Sequence, residues 1–296
     1  MEKEYQMSIM KLDTVYIISY IDPKSKKYKT RSRAVIKQAE WLSQIPQVKY
    51  VFYIAQCWPK ELKDTMFEIY NNRCKDVEFD YYDECIYTSK ARNINLERFY
   101  NSDLGVTMFL DDDAVVNTYD KEMNYFEYFE KYIENSGIDW DYMGFKSSQY
   151  GNKNDGQFYF SKLDPWVWSG STGFVMKNFK KFYNMTYYFN EDLNSLEDLE
   201  FGIRLNFTGH KLYLCENPYL HEVTTVSIMF DDKQNRKDRN LIARTEIARM
   251  WNERVGWEMF KLSSDGKLMQ RKFRELYVKQ PTVLINEDGS WTEFLK

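Results

Sequence analysis

Near-continuous apolar runs, separated by stretches of helical spacing, constrain this chain more than any other feature. Val15-Tyr-Ile-Ile-Ser-Tyr-Ile21 lacks polar alternation, the pattern of a strand buried on both faces. Ser32 to Gln44 follows with Val35, Ala39 and Leu42 at helical intervals. The signature recurs as a strand at Lys49 to Trp58, a helix opened by Pro59 and a strand at Val77 to Tyr82. A helix at Ser89 to Tyr100, with Ser89 as its N-cap, and a strand at Thr107 to Leu110 complete it. Parallel neighbours need a crossover between them, so four such alternations predict an α/β fold with a mostly parallel, doubly wound sheet flanked by helices.

Beyond Tyr119 the pattern changes to an aromatic, acidic helix at Lys121 to Asn135, a short strand at Tyr142 to Lys146 and a polar loop at Gln149 to Gly156. Trp166 to Met176 reads as a turn feeding a strand, with Gly170 and Gly173 allowing a ligand close to the backbone. From about Phe230 the sequence is basic and mainly helical, clearest at Asn240 to Trp251, and it ends in a hairpin-like piece around Asn286-Glu-Asp-Gly289. The expected organisation is a domain over 1–229, with halves at about 13–118 and 119–229, and a basic segment over 230–296. Only 12 Gly and 6 Pro argue against long flexible linkers. Cys57, Cys74, Cys85 and Cys215 form no CxxC pair and are expected as free thiols. The start lacks the basic-then-apolar order of a secretory signal and no window offers a membrane span, so the expectation is a cytoplasmic protein.

Val106-Thr-Met-Phe-Leu runs straight into Asp111-Asp-Asp113. Carboxylates at the end of a buried strand need a cation or ordered donors, and strand carboxyl ends are where open α/β sheets bind ligands. A turn capped by aspartate is the plain alternative. The stretch Ser195-Leu-Glu-Asp-Leu-Glu-Phe-Gly-Ile-Arg reads as a helix start, with Ser195 as N-cap and Glu197, Asp198 and Glu200 at its positive end. That placement also suits Asp198 to accept a proton from a bound alcohol.

The order Asp111-Asp-Asp113, Gly170-Ser-Thr-Gly173, Leu196-Glu-Asp198 and then His221 resembles the metal-dependent glycosyltransferases of the GT-A fold, over about residues 13 to 225. The resemblance implies a Rossmann-like nucleotide-binding half and a nucleotide-sugar donor, a UDP-sugar by preference. It implies Mn²⁺ or Mg²⁺ held by Asp113 and His221 with Asp111, while Asp111 and Asp112 meet the donor. Arg92 and Asn93 resemble donor-binding residues, and Arg31 and Arg33 stand near the nucleotide. Asp198 takes the role of base, with Glu197 beside it, and inversion follows. Trp166, Trp168, Gly170 and Glu200 fall on the acceptor side. His210 is expected as surface structure.

Charge is uneven: residues 233 to 279 hold 13 Lys and Arg against 6 Asp and Glu, in a chain of net −4. Lys24 to Arg33 adds six cations and no acid, between the first strand and its helix. With the absence of an anchor, this resembles, more loosely, phage-type glycosyltransferases that modify hydroxymethylcytosine in DNA, bare or glucosylated; the protein would then work in the host cytoplasm. Phosphate contacts would come from the two basic segments and stacking from the tryptophans. A surface-glycan or lipopolysaccharide glycosyltransferase, a non-enzymatic polyanion-binding module and a metal-dependent phosphohydrolase are the other readings.

Overall fold

A computed structural model describes residues 10–73, 75–116, 125–146, 159–162, 173–193, 195–216, 220–222, 233–255, 260–262, 264, 268–270, 281–285 and 291–295. The predicted alternation is present: β1 (Thr14–Tyr20), α1 (Tyr28–Gln44), β2 (Tyr50–Gln56), α2 (Lys60–Asn71), β3 (Asp76–Tyr82), α3 (Thr88–Tyr100) and β4 (Val106–Asp111). There follow β5 (Ala114–Val116), α4 (Tyr125–Ser136), β6 (Tyr142–Lys146), β7 (Tyr159–Lys162) and β8 (Gly173–Lys177). Next come α5 (Phe179–Tyr183), α6 (Glu197–Phe207), β9 (Leu212–Glu216) and β10 (Leu220–Glu222). The extension holds α7 (Lys233–Val255) and two hairpins, β11 (Phe260–Leu262) with β12 (Leu268–Gln270) and β13 (Pro281–Ile285) with β14 (Trp291–Leu295). The last hairpin flanks the predicted turn at Asn286 to Gly289.

Eight strands form one sheet in the order β3-β2-β1-β4-β8-β6-β9-β7. β1 pairs in parallel with β2 and β4, β2 with β3, and β6 with β9. β8 runs antiparallel between β4 and β6, and β7 antiparallel to β9, so six of the eight strands share one direction. Period-2 alternation splits the core. Val15, Ile17, Met108 and Leu110 face α1, α2 and α4, whereas Tyr16 and Phe109 face α3, α5 and α6. Both faces are covered, which is why β1, β2 and β4 read as near-continuous apolar runs, while the edge strand β3 alternates Asp76, Glu78 and Asp80 with apolar residues.

The second face carries a ladder of rings, one per strand across five neighbouring strands. Phe52, Tyr16, Phe109, Phe174 and Tyr142 stack in that order with centroids 5.1, 5.3, 4.7 and 5.0 Å apart. Gly173 begins β8 at φ 142°, and a Cβ there would meet the carbonyl oxygen of Phe109 at 2.2 Å. The close backbone approach expected at this glycine is therefore made by β4, not by a ligand.

Two expected caps are corrected. Tyr87, not Ser89, stands at the cap of α3, and the Ser89 hydroxyl instead donates to the carbonyl of Leu193 at 3.2 Å. Leu196, in the left-handed region at φ 57°, stands at the cap of α6, and Ser195 donates to Asn240 of α7 at 2.5 Å. Both hydroxyls tie distant segments instead. α7 also packs Ile247, Ala248 and Trp251 against Leu193 and Ile203, with Trp251 stacked on Phe207 at 4.9 Å. The extension is thereby fastened to the helix that carries Asp198. Cys57, Cys85 and Cys215 are free thiols. No helix among the described residues is long and apolar enough to cross a membrane.

Candidate functional site

β1, β2 and β4 are parallel, so Ser19, Trp58 and the aspartates all gather at their carboxyl ends. The turn between β4 and β5 is pinned from beneath. Gln38 of α1 donates its Nε2 to the carbonyls of Asp111 and Ala114 at 2.7 and 2.8 Å. Seven residues earlier on that helix, two turns away and hence on nearly the same face, stands Arg31. Its Nη1 donates to Asp113 Oδ2 at 2.6 Å and its Nη2 donates to Asp112 Oδ1.

Asp112 is 2% exposed and faces inward. Its Oδ2 accepts from Ser19 Oγ at 2.6 Å, and that hydroxyl accepts from Trp58 Nε1 at 3.0 Å. Burial pushes the Asp112 carboxyl up to about 6, against the pull of Arg31, while Asp113 adds to the rise. Asp112 is therefore an anchor of the turn, enclosed by Ser19 and Arg31 rather than standing at its open side. Asp111, with 29% of its side chain exposed, is the open member, and Asp113, with 11%, is buried but less closely than Asp112.

A second guanidinium joins this turn to α6. Arg92 of α3, 8% exposed, donates Nη2 to Asp111 Oδ1 at 3.1 Å and Nη1 to Glu197 Oε1 at 3.0 Å, with its plane over the Phe189 ring. Burial opposes its charge, but Asp111, Glu197 and Asp198 hold it well above the ordinary arginine range. Burial pushes Glu197 up to about 7 while Arg92 pulls it down. Arg92 is thus a buried bridge rather than an exposed helix residue.

Of the three acids opening α6, Glu197 and Glu200 are buried and Asp198 is half-exposed. Asp198 Oδ1 accepts from the N–H of Leu199 at 2.8 Å, which turns the carboxylate along the helix start. Glu200, expected on the acceptor side, is 1% exposed and accepts from Arg204 at 2.6 Å. Asn93 is spent on the loop before α6, exchanging bonds with the backbone of Phe189 at 2.9 and 2.7 Å and donating to Glu191; it is not brought to the aspartates. His210 is packed, stacked on Phe179 at 4.5 Å with Nε2 3.1 Å from the Tyr187 hydroxyl, so its role is structural but not at the surface. Trp166, Trp168, Gly170 and the loop at 149–156 lie outside the described residues.

His221 is placed by its backbone: β10 pairs antiparallel with β5, and His221 stands opposite Val115, two residues past Asp113. The basic run is also re-sited, because α1 begins at Tyr28, four residues before the expected start, and takes in Arg31 and Arg33. Arg31 is committed to the aspartates.

Beside Asp111 lies a cavity of about 10 Å³, room for one water, lined by Arg92, Asn95, Asp111 and Gly173 among others. The fully buried Asn95 donates Nδ2 to the carbonyl of Ile17, and its Oδ1 finds no partner among the described residues. Sequence reasoning missed Ser19, Gln38, Trp58 and Asn95. The signal for three of them was a polar residue at an otherwise apolar position: Ser19 inside the β1 run, Gln38 on the buried face of α1, Asn95 on that of α3.

No protein-family model matches this chain, and no curated protein does. Among solved structures it is similar to a mannosyltransferase from Pyrobaculum calidifontis in complex with GDP-Man and Mn²⁺, at a TM-score of 0.54 and 7% identity over 82% of this chain. The chain spans 65% of that structure. A 4-diphosphocytidyl-2C-methyl-D-erythritol synthase from Anaerococcus prevotii overlaps at a TM-score of 0.38, with 10% identity over 76% of this chain and 99% of that one, too loosely to argue from. At such identity the likeness is one of fold, and the fold is GT-A-like.

Proposed function

We propose that the chain is a metal-dependent glycosyltransferase that moves a sugar from a nucleotide-sugar, a UDP-sugar by preference, to an acceptor hydroxyl with inversion. The observation that carries this reading is Arg92, which draws Asp111 at the end of β4 and Glu197 at the start of α6 onto one guanidinium. A donor-side acid and the helix of a candidate base thereby meet at the carboxyl end of the sheet, where α/β folds bind ligands.

The donor set suits a hard divalent cation. Among the described residues no group of three or more metal-binding side chains converges. Such a cation is commonly held by one or two carboxylates with substrate phosphates supplying the rest. Asp113 and Asp111, with His221 two register positions away, fit that division. Mn²⁺ or Mg²⁺ there would neutralise charge on the departing diphosphate.

Asp198 takes the proton of the acceptor hydroxyl as its oxygen forms a bond to the anomeric carbon. The bond from that carbon to the diphosphate oxygen breaks on the opposite face, and the electron pair leaves with the nucleoside diphosphate. An α-linked donor gives a β-glycoside. Glu197, bound to Arg92, holds the helix start beside it.

For the acceptor, hydroxymethylcytosine in DNA, bare or glucosylated, rests on the basic segments 24–33 and 233–279. The commitment of Arg31 reduces the first, and in the second Arg249 is paired with Glu246 and Glu253 while Leu241 and Ile242 stand exposed. A surface glycan is the rival acceptor.

The test incubates the protein and Mn²⁺ with UDP-sugars and GDP-mannose, with and without hydroxymethylcytosine DNA, and measures released diphosphate and nucleoside masses. Donor turnover that falls about 10²- to 10⁴-fold in Asp198→Asn supports the reading. No turnover of any donor, with or without acceptor, sinks it; turnover without change to DNA moves the acceptor to a glycan.

A further inference from the structure

Arg31 and a divalent cation bear on the same carboxylate. We propose that they exchange there: the ion displaces the guanidinium arm held by Asp113, while the other arm stays on Asp112 and the freed Nη1 turns to the phosphate that accompanies the ion. The inference rests on the metal-dependent reading above.

Three observations carry it. First, the two aspartates are unequal. Asp112 is closed in by Ser19 and Arg31, whereas Asp113 is the more open partner, so one arm of the fork is anchored and the other can be replaced. Second, the turn does not depend on Arg31 for its shape. Gln38 pins the carbonyls on both sides of Asp112 and Asp113, and Trp58 with Ser19 holds Asp112 from the other direction, so the frame persists when one arm leaves. Third, the guanidinium is 2.6 Å from Asp113 Oδ2, so an ion on that carboxylate would face a like charge a few ångströms away in a poorly solvated site. Repulsion drives the arm off, and a planar fork with one edge free is suited to a phosphate oxygen.

The consequence is a coupling. Arg31 weakens the ion alone and favours the ion together with a nucleoside diphosphate, and linkage makes the effect mutual. Donor and metal are then taken up as a pair.

Mn²⁺ affinity of the full chain, measured by titration calorimetry and by the electron paramagnetic resonance signal of free Mn²⁺, with and without UDP, tests this. Arg31→Gln should bind Mn²⁺ alone about tenfold more tightly than the parent chain, the scale of one charge-assisted hydrogen bond. Arg31→Lys guards against misfolding and against a general charge effect: it keeps the cation for Asp112 but cannot span both carboxylates. It should also tighten, and the gain in Mn²⁺ affinity brought by UDP should shrink in both variants. Binding equal to or weaker than the parent in both variants overturns the exchange and leaves the metal reading standing. Absence of Mn²⁺ binding in all three proteins, with UDP present, overturns both.

Discussion

Arg31 and Arg92 each lend one guanidinium to two carboxylates, but they differ in what they join. Arg31 reaches from α1 to neighbouring aspartates on a single turn, inside the first half of the chain. Arg92 reaches from α3 to Asp111 and to Glu197, partners on β4 and α6 that are far apart in sequence. A bridge within one turn adjusts chemistry there, whereas one between distant elements decides whether the site is assembled at all. The same interaction type thus serves a local and a global purpose, and the two can be separated by mutation.

The largest effect is expected at the long bridge. Arg92→Leu leaves two carboxylates without their shared cation, a change that costs about 3 to 5 kcal/mol when a buried pair is broken. Urea unfolding measures it, and a loss below about 1 kcal/mol would mean that water, not Arg92, balances these acids. Next comes pH. Burial holds Glu197 at about 7 against an ordinary 4.5, so between these values the folded chain binds a proton that the unfolded chain has released. Stability contributed by this group therefore falls as pH rises through that window, by an amount on the order of 3 kcal/mol in total. Glu197→Gln should flatten the slope of melting temperature over pH 4.5 to 7, and an unchanged slope would assign the titration elsewhere.

Within the local lock the effects are smaller. Ser19→Ala removes a donor from buried Asp112 and strands the Trp58 N–H, at a cost of about 1 to 3 kcal/mol, and it should spare the contacts of Arg92. Equal loosening of both bridges by amide exchange would show them to be one network. Smallest is Asn240→Ala, which releases Ser195 and should cost about 1 kcal/mol while speeding exchange at the first turn of α6 alone.

The contrast also explains how much could be read in advance. The first half was legible because β1, β2 and β4 are near-continuous apolar runs and its helices have one buried face, such as Leu62, Met66 and Tyr70 on α2. Asp111, Asp113, Glu197 and Asp198 stood out as charges beside apolar segments, and Arg92 only through the family resemblance. What stayed hidden was pairing. Nothing local says that Arg31, in a basic run, turns inward, or that Ser89 and Ser195 bind remote partners instead of capping their helices. Those choices are settled by tertiary geometry, in which a hydroxyl near a helix start meets whichever acceptor the fold brings closest. The ring ladder was equally invisible, since Tyr16, Phe52, Phe109 and Phe174 become neighbours only through strand register.

The sheet order has a consequence for how the chain is made. β3, β2, β1 and β4 come from residues 14–111 in one stretch, but β8, which covers the free edge of β4, begins at Gly173. At translation rates of about 5 to 20 residues per second, the apolar edge Val106 to Leu110 stands open for several seconds as the chain emerges. An uncovered edge of this kind invites pairing with other chains, so the nascent protein passes through an interval of dependence on chaperones. Ribosome-bound chains halted before β8 has emerged should capture chaperones more strongly than chains halted after it; equal capture would mean that the early half shields its own edge.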